Sequence, residues 1–567
     1  MIKSYWNTST YSYGVRKGKT TFVGCYDPFA LKVGIEGIDS WEFKLPVPSK
    51  TTTLNAANLS NWQVLIDNGI PNERFFIEAG TYHTGNLRWN GKPIQIIGEL
   101  NGNGSNAVTI DGSVSINPAS FVNNAGVWEF LAPTRINPLP SNDVEGMSGF
   151  YPGQNFSLWK NGIPYNSVPN VNLSANIHNC SLVSDTIRLN AQPTGTLRWG
   201  IFSSFIGGLS NAGGLVEPFA TNGVILGNLD CINFNGNRNG AVIGRRSPAL
   251  IDTIVPQRYH CYFNITVRNC RGDAVLAPFT STLRNIQSID NGRGSISGSN
   301  VTSTFFDAGM QVLQAEWSTF IGCVQRRNNW AGNDGGDSTK MVRQSSILIK
   351  YWESSLNGVA TLTPINNGNT MGDGFWSDYG YYTIVTNCRF FRNYRYGIFN
   401  EVSWKCEYYD NEVFDNAKVV NDVEIYESTS RETTYQRNKI TVKNAGYLRL
   451  ADAERGKPNG QPFVPTVLGY ADMTDLNFTD NDIMFVDETS RRLTLGYDKP
   501  DAPVISWKGL SSRILTIGNN RFNKEPSTYT WNGSGYDSVF GLAAIQALTK
   551  IDGVTSFNFE QGSVILN

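Results

Sequence analysis

The sequence predicts an all-β fold in which short strands stack coil upon coil, a parallel β-helix. The first observation is an internal repeat: residues 374–378 are followed 23 positions later by residues 397–401, and Asn393 is followed at the same offset by Asn416. Repeats of about 20–50 residues are typical of solenoids, whose repeats pack only on their neighbours. The second observation is composition, since aromatic residues make up 12% and charged residues only 17% of the 567-residue chain. Stacked strands with polar turns have this profile.

Composition and charge narrow the classes of partner. The net charge is −1 and no long basic run occurs, so we expect no nucleic-acid partner. No window approaches an 18-residue apolar span and residues 1–6 lead into polar positions, so we expect neither membrane insertion nor a secretory signal. The eight cysteines lack C-x-x-C spacing and are expected to be buried free thiols rather than disulfides or metal ligands. With three histidines, no metal or other cofactor is expected.

The first elements are a head and a helix. Residues 1–48 form a head or attachment segment with strand-like pieces, closed by a Pro-Val-Pro linker. Residues 55–69 predict an amphipathic helix with Trp62, Leu65 and Ile66 on one stripe. An apolar strand at residues 75–82 follows at once and ends in Ala-Gly-Thr-Tyr.

This order of helix and strand resembles the opening of right-handed parallel β-helix proteins of the pectin-lyase-like superfamily. The resemblance implies a single-stranded β-helix over residues 49–525, with the helix capping its first coil. An insertion at about residues 125–200 contains an Asn161-Gly162 hairpin and is similar to insertions of bacterial β-helix proteins that act on polysaccharides. Residues 526–567 resemble the C-terminal cap, with a helix expected at 539–550 that carries Phe540, Ala543, Ile545 and Leu548. Spike proteins built on β-helices are commonly trimers, so the resemblance also implies a homotrimer.

Further strands are expected between these ends, and the later ones alternate with Asn-rich turns. They are residues 94–97, 108–110, 224–234, 262–269, 283–291, 310–328, 345–352, 433–442, 475–485 and 514–522. The asparagines at positions 269, 291, 328, 393 and 416 are interpreted as turn residues or stacked amide ladders rather than ligands.

The central repeat also suggests a site. Stacked coils lie about 4.8 Å apart, so the repeat places Asp378 and Glu401 one above the other. Extending the register one coil upward adds Lys350 to this column, if residues 357–370 loop out. Paired carboxylates with separated pKa values suit glycoside hydrolysis, whereas Lys350 would be the base of a lyase. A solvated face with a ladder of ion pairs is the alternative.

Aromatic residues flank this column. Strand alternation places Trp376 and Phe399 on the side of the charges, with Phe375 and Ile398 pointing inward. Sugars stack their C–H faces on rings and hydrogen-bond to acids, so Trp376 is expected to be an exposed sugar platform. The substrate groove is expected to be extended by further residues of neighbouring coils, namely Glu316, Trp330 and Glu353.

A calcium site is weighed at residues 333–337. Asp334 and Asp337 supply two carboxylates, but a third acid at EF-hand spacing is missing. A plain Gly-rich turn explains the segment better.

Fold alone does not give function. One hypothesis is a bacteriophage tailspike-like protein of the virion, which binds and depolymerises a host polysaccharide and contacts other tail proteins. Another is a cellular glycosidase or polysaccharide lyase whose export signal is missing. A third is a structural fibre without a glycan site. The chain is accordingly expected on the virion tail or outside the cell.

Overall fold

The computed structural model shows a parallel β-helix of three sheets. The residues it describes are 14–15, 22–23, 45–89, 91–134, 158–167, 170–175, 177, 179–202, 204–207, 223–234, 242–243, 258–270, 274–276, 280–291, 310–311, 316–326, 333–334, 345–357, 372–378, 380–401, 403–416, 423–428, 430–443, 446–451, 475–486, 492–495, 515–531, 536–547, 550–551, 555–556 and 558–566. Between its first and last coils the chain passes through sheets 1, 2 and 3 in turn, and strands of one sheet pair in parallel with those of the neighbouring coil. Because such crossover connections are right-handed in nearly all proteins, the fold is a right-handed parallel β-helix.

Sheet 1 runs the length of the solenoid. Its strands are Lys50–Leu54, Glu73–Ile77, Gln95–Gly98, the first halves of Ile225–Ile232, Arg258–Arg268 and Thr280–Ile289, then Glu316–Ile321, Ser345–Lys350, Tyr381–Thr386, Glu407–Tyr409, Thr434–Gln436, Leu476–Thr479, Leu515–Gly518 and Asn558–Gln561.

Sheet 2 lies beside it, one bend further along the chain, and residues 99–107 lengthen this bend after the strand Gln95–Gly98. Its strands are Gly80–Tyr82, Val108–Asp111, the second halves of the same three long strands, then Val324–Arg326, Glu353–Ser355, Arg389–Phe391, Glu412–Phe414, Lys439–Val442, Asp482–Phe485, Arg521–Phe522 and Val564–Ile565.

Sheet 3 is the third side of the solenoid. Its strands are Leu87–Arg88, Ile206–Gly207, Val242–Ile243, Val275–Leu276, Met310–Gln311, Asn333–Asp334, Phe375–Asp378, Ile398–Glu401, Val423–Ser428, Gly446–Ala451, Arg492–Leu495 and Ser527–Trp531, with Tyr536–Phe540 antiparallel at the end.

From the coil of Ile225–Ile232 onward, the bend between sheets 1 and 2 is a single residue with positive φ. Asparagine, which tolerates this left-handed conformation, occupies it at Asn228, Asn264 and Asn285. Their amides form a chain, Asn285 Nδ2 donating to Asn264 and Asn264 Nδ2 to Asn228, at 2.9 and 3.1 Å. Later coils carry Tyr351, Asn387, Asp410, Arg437, Asp480 or Asn519 at this position.

Two buried amide ladders connect later coils inside the solenoid. In the longer one, Asn411, Asn438, Asn481 and Asn520 each donate through Nδ2 to the next member, and Asn520 donates to Glu560. In the shorter one, Asn357 and Asn393 donate to the next asparagine, and Asn416 donates to Glu424. The predicted ladder positions 393 and 416 are confirmed. Asn269 is a positive-φ turn residue and Asn291 is buried with its Oδ1 accepting from Cys270 N, while Asn328 lies outside the described residues.

The N-terminal helix occupies the predicted stretch in two pieces. A 3₁₀ helix, Ala56–Asn61, is capped by the Asn55 side chain and continues into the α-helix Trp62–Asp67. Trp62 and Ile66 are buried in the main core. The strand Lys50–Leu54 precedes the helix and pairs with Glu73–Ile77, so parallel pairing starts before the helix rather than at residue 75. That the helix caps the first coil stays a prediction.

The insertion builds two small, largely antiparallel sheets with their own core. Its strands are Ser113–Ile116, Val122–Asn124, Val127–Leu131, Leu158–Lys160, Ile163–Pro164, Asn166–Ser167, Asn179–Val183, Thr186–Leu189 and Leu197–Gly200, and its 3₁₀ helices are Pro118–Ser120 and Asn170–Ala175. The predicted hairpin is present, with positive φ at both Asn161 and Gly162, as a type I′ turn requires.

The C-terminal segment differs from the expected helix at 539–550. The chain remains a strand up to Phe540, which is 62% exposed, and Gly541 with φ +97° starts the short helix Leu542–Gln546. Leu542 and Ile545 pack into the main core. After the hairpin Lys550–Ile551 and Thr555–Ser556, the last strands of sheets 1 and 2 add one more coil.

Other sequence expectations fall on the head and the cysteines. In the head, the structure describes one antiparallel pair, Gly14–Val15 with Phe22–Val23. Seven cysteines are described, and all are buried free thiols, as predicted. In the described ranges no helix is long and apolar enough to cross a membrane.

The longer ladder predicts the stability cost of its middle member. In Asn438→Ala, Asn411 loses the acceptor of both its backbone N–H and its Nδ2, and Asn481 Oδ1 loses a donor. Because these buried donors and this acceptor then lack partners, the free energy of unfolding should fall by roughly 3 kcal/mol. Urea denaturation measures this, with Asn103→Ala in an exposed turn as the control. Equal midpoints for the two variants would contradict a stabilising ladder.

Candidate functional site

The central repeat has the predicted register on sheet 3. Phe375 pairs with Ile398, and Asp378 pairs with Glu401 one coil below. Phe375 and Ile398 point into the main core, as alternation requires. The adjacency of Asp378 and Glu401 along the backbone is therefore confirmed, while their catalytic role stays a prediction.

The outer face of this sheet carries an aromatic stack. Trp376, Phe399 and Tyr426 occupy the same position in three successive coils, with ring centroids 5.6 and 4.8 Å apart and nearly parallel planes. Trp376 is 4% and Phe399 2% exposed. The expectation that Trp376 is an exposed platform is wrong. Strand alternation determines on which face of the sheet a side chain lies, but not whether other residues cover that face.

Polar groups complete this buried cluster. Trp376 Nε1 donates to Glu401 Oε2 at 3.0 Å, and Glu401 is itself buried. Arg395 lies over the rings of Tyr396 and Phe399 and 3.7 Å from Asp373. Burial raises the pKa of the Asp373 carboxyl, although Arg395 and the Tyr396 N–H oppose the shift. As described, this cluster is packed interior rather than an open groove.

Lys350 does not join the column. Its strand belongs to sheet 1, where Lys350 pairs with Ile321 and Thr386. The predicted alignment is wrong because Ser345–Lys350 and Phe375–Asp378 are strands of one coil, not of neighbouring coils: Tyr351 makes the bend after Lys350, and Glu353–Ser355 is the strand of sheet 2 that follows. Asp334, not Lys350, lies one coil above Trp376.

The other predicted groove residues are dispersed. Glu353 lies on the outer face of sheet 2, 3.5 Å from Arg389. Glu316 begins a strand of sheet 1, and Trp330 lies outside the described residues. Of the calcium candidates, Asp334 belongs to a strand of sheet 3 and Asp337 lies outside the described residues. No group of three potential metal ligands occurs in the part of the chain that the structure describes.

A more open constellation lies at the corner where sheet 3 leads into sheet 1. We call Tyr382, Trp404, Lys405 and Glu432 the corner cluster. Trp404 Nε1 donates to Glu432 Oε1 at 2.8 Å, and Lys405 Nζ lies 3.3 Å from Glu432 Oε2. The ammonium also lies 5.0 Å from the Trp404 ring and 5.5 Å from the Tyr382 ring. Lys405 is 38% and Glu432 42% exposed, so the cluster faces solvent.

The backbone explains this outward geometry. Tyr382, Lys405 and Glu432 occupy equivalent positions in successive coils, two residues before the paired Ile384, Glu407 and Thr434. All three have positive φ, between 47° and 52°. Such a bend turns the chain sharply from one sheet to the next and leaves these side chains on the outside of the corner. The signal in the sequence was the same offset of 23 residues between Tyr382 and Lys405.

A carboxyl with a shifted pKa follows the corner on sheet 1. Burial raises the pKa of Glu407, partly opposed by a hydrogen bond with Tyr409. Its Oε2 atom is buried and accepts no hydrogen bond from a described residue. Glu407 is thus a carboxyl held toward its protonated form two residues beyond Lys405.

Behind the same strands, the interior holds a second acid. Glu427 is fully buried and accepts hydrogen bonds from Tyr435 Oη at 2.7 Å and Asn400 Nδ2 at 2.9 Å. Tyr408 Oη donates in turn to Asn400 Oδ1. Burial raises the pKa of Glu427 to about 7, although the Tyr435 and Asn400 hydrogen bonds oppose the shift.

Comparison with known proteins adds no family. No family model and no curated protein sequence matches the chain. Among solved structures, it is similar to the A-module of the mannuronan C-5 epimerase AlgE6 from Azotobacter vinelandii, with a TM-score of 0.44, 10% identity, and coverage of 90% of this chain and 95% of that one. It is also similar to the Gp54 tailspike of Acinetobacter baumannii bacteriophage AP22, solved with capsular saccharide, with a TM-score of 0.33, 8% identity, and coverage of 90% and 75%. Likenesses this low carry no functional argument, and the strand register itself shows the fold.

Glu427 predicts a pH dependence of stability. Its pKa is about 7 in the folded chain against 4.5 ordinarily, so the folded state binds the extra proton. Protonation of Glu427 therefore contributes roughly 3 kcal/mol to the free energy of unfolding below pH 4.5, and this contribution is lost as the pH rises to 7. Glu427→Gln should remove this loss, whereas Glu78→Gln at an exposed position should keep it. Denaturation at pH 5, 6, 7 and 8 measures the difference; parallel curves for Glu427→Gln and the parent protein would refute the assignment.

Proposed function

We propose that this protein binds an extended polysaccharide along the outside of its coils, with the corner cluster as the contact surface. The observation that carries the proposal is a pair of half-buried rings, Tyr382 and Trp404, joined to a solvent-facing Lys405 and Glu432. A sugar needs such a combination of ring faces for its C–H groups and charged acceptors and donors for its hydroxyls.

The corner is preorganised for this contact. The hydrogen bond from the indole to Glu432 holds the Trp404 ring, and the Lys405–Glu432 ion pair holds both charges beside it. Fixing side chains before binding reduces the entropy lost on binding. Repetition of the bend in successive coils, about 4.8 Å apart, gives a surface that follows the solenoid axis and suits a chain-like ligand.

Cleavage of the bound glycan is a further part of the proposal. Asp378 ends a strand that leads into the corner, and Glu407 lies just beyond it with a raised pKa. Glu401 ends the strand of the next coil but is buried and accepts a hydrogen bond from Trp376, so it is not one of the two proposed carboxyls. A glycosidase needs one carboxyl kept protonated and another ionised, whereas a lyase would require a base, for which Lys350 was the expectation. New reducing ends indicate hydrolysis and unsaturated products indicate elimination.

The finer form of the proposal is a tailspike-like protein of a bacteriophage virion. It rests on the sequence resemblance and on the head segment that precedes the coils. The alternative is a cellular carbohydrate-active enzyme. Mass spectrometry of purified virions tests the finer form, since a virion protein must co-purify with capsid and tail proteins.

The corner cluster predicts the effect of one substitution on glycan affinity. After a glycan panel identifies a bound polysaccharide, Trp404→Ala should weaken binding at least tenfold, because the sugar loses its ring platform and Glu432 loses its donor. Tyr351→Ala is the matched control, since Tyr351 is 44% exposed and also lies beneath a lysine, Lys350. Isothermal titration calorimetry compares the two variants. If Trp404→Ala leaves the affinity unchanged and Tyr351→Ala lowers it, the proposal is wrong and the glycan binds at the bend that contains Tyr351.

A further inference from the structure

The outer face of sheet 2 carries charges whose sign alternates from coil to coil. The parallel register places six of these side chains in one column, which we call the charge ladder: Glu353, Arg389, Glu412, Lys439, Asp482 and Arg521. Acid and base therefore alternate without interruption through six consecutive coils.

Most members of the ladder are paired within the chain, but one is not. Arg389 lies 3.5 Å from Glu353 and 3.1 Å from Glu412, and Arg521 Nη2 donates to Asp482 at 2.6 Å. Lys439 lies between Glu412 and Asp482, yet it makes no ion pair with any residue that the structure describes. Stabilisation within one chain accounts for the pairs and leaves Lys439 without an ion pair among the described residues.

A partly apolar column, which we call the apolar column, runs beside the ladder on the same face and has Thr441 between Phe414 and Met484. Phe391 and Phe414 are half-buried and stack with centroids 4.8 Å apart and planes within 1°. Met484, in the same column two coils beyond Phe414, is 53% exposed. Hydrophobic area flanked by charges is typical of an interaction surface.

The edge of this face toward sheet 1 is smooth. In these coils sheets 1 and 2 are joined by one positive-φ residue, such as Asn387, Asp410 or Arg437, with one buried residue before the next strand. No described segment is inserted at this bend, so a flat partner can approach from that side.

Symmetry identifies a partner that fits. When the ladder of one copy is placed against the ladder of a second copy that runs in the opposite direction, every acid faces a base. A two-fold axis along the strand direction brings the same face of a second copy into contact with its coils in the opposite order. Glu412 then faces Lys439 of the second copy, Arg389 faces Asp482, and Glu353 faces Arg521.

We propose that the outer face of sheet 2 is the interface of an antiparallel homodimer, centred between Glu412 and Lys439; such a dimer agrees with the cellular alternative and not with the tailspike-like form, for which a trimer is implied. The Lys439 charge of each copy meets Glu412 of the other, and Phe391 meets Met484 in the apolar column. A parallel two-fold arrangement places like charges opposite each other, which costs free energy. Self-complementary faces of this kind are the rule for two-fold dimers.

The contact is narrow, so the dimer belongs to the weak and salt-sensitive class. Six coils span only about 24 Å along the axis at the usual strand spacing, which gives an area below that of a standard interface. Exposed ion pairs are screened by salt. The dimer should therefore form with rising protein concentration and dissociate when salt is added.

Sedimentation equilibrium of the whole chain tests the proposal. The parent protein should show a monomer of 62.7 kDa in equilibrium with a dimer of twice that mass. Adding 1 M NaCl should raise the dissociation constant of the dimer at least tenfold. Glu412→Lys and Lys439→Glu should each weaken association at least tenfold, because two like pairs then face each other. The double variant Glu412→Lys/Lys439→Glu should restore it, and Glu78→Lys, far along the solenoid, should have no effect.

A second charge exchange guards against variants that fail to fold. Glu353→Arg/Arg521→Glu reverses the outermost pair of each copy and should likewise associate, whereas each single change should not. Thermal melting is recorded for every variant, and only those that melt like the parent protein are compared. A monomer at all concentrations, a mass of three chains as the resemblance implies, or single and double variants that associate equally would each overturn the proposal.

Discussion

Stacking of identical backbone positions about one strand spacing apart is the constraint on which the rest of the structure depends. The buried amides of Asn411, Asn438, Asn481 and Asn520 make it visible, since each donates to the next across four coils. An amide satisfies its neighbour only if every coil returns to the same point, so insertions are confined to loops elsewhere. This is why the spacing between ladder members varies from 27 to 43 residues without disturbing the column.

The same stacking gives each outer face its own chemistry. On sheet 3 it aligns Trp376, Phe399 and Tyr426 into a buried stack. On sheet 2 it aligns acids with bases, and at the corner it brings Trp404 beside Tyr382 and Glu432. Side chains far apart in sequence thus become neighbours, and their character in successive coils decides whether a face is packed, paired or open to a ligand.

The sequence allowed prediction of whatever depended on a local offset. The 23-residue repeat correctly paired Asp378 with Glu401, and the Asn-Gly hairpin and the interior asparagines followed from residue type. Lys350 was misplaced because the single-residue bend at Tyr351 and the two-residue strand Asn333–Asp334 leave almost no periodic signal. The exposure of Trp376 was misjudged because alternation carries no information about neighbouring segments. Trp404 was overlooked as a site residue because its outward direction depends on the positive-φ bend beside it.

The most direct test of the account is a structure of the protein with an oligosaccharide from the polysaccharide that it binds. The account predicts a sugar ring packed on Trp404, within about 4.5 Å of the indole face, with hydroxyls bonded to Glu432 or Lys405 and the chain continuing across successive coils. A sugar bound on sheet 2, in the antiparallel insertion or at the head, with the corner empty, would contradict it.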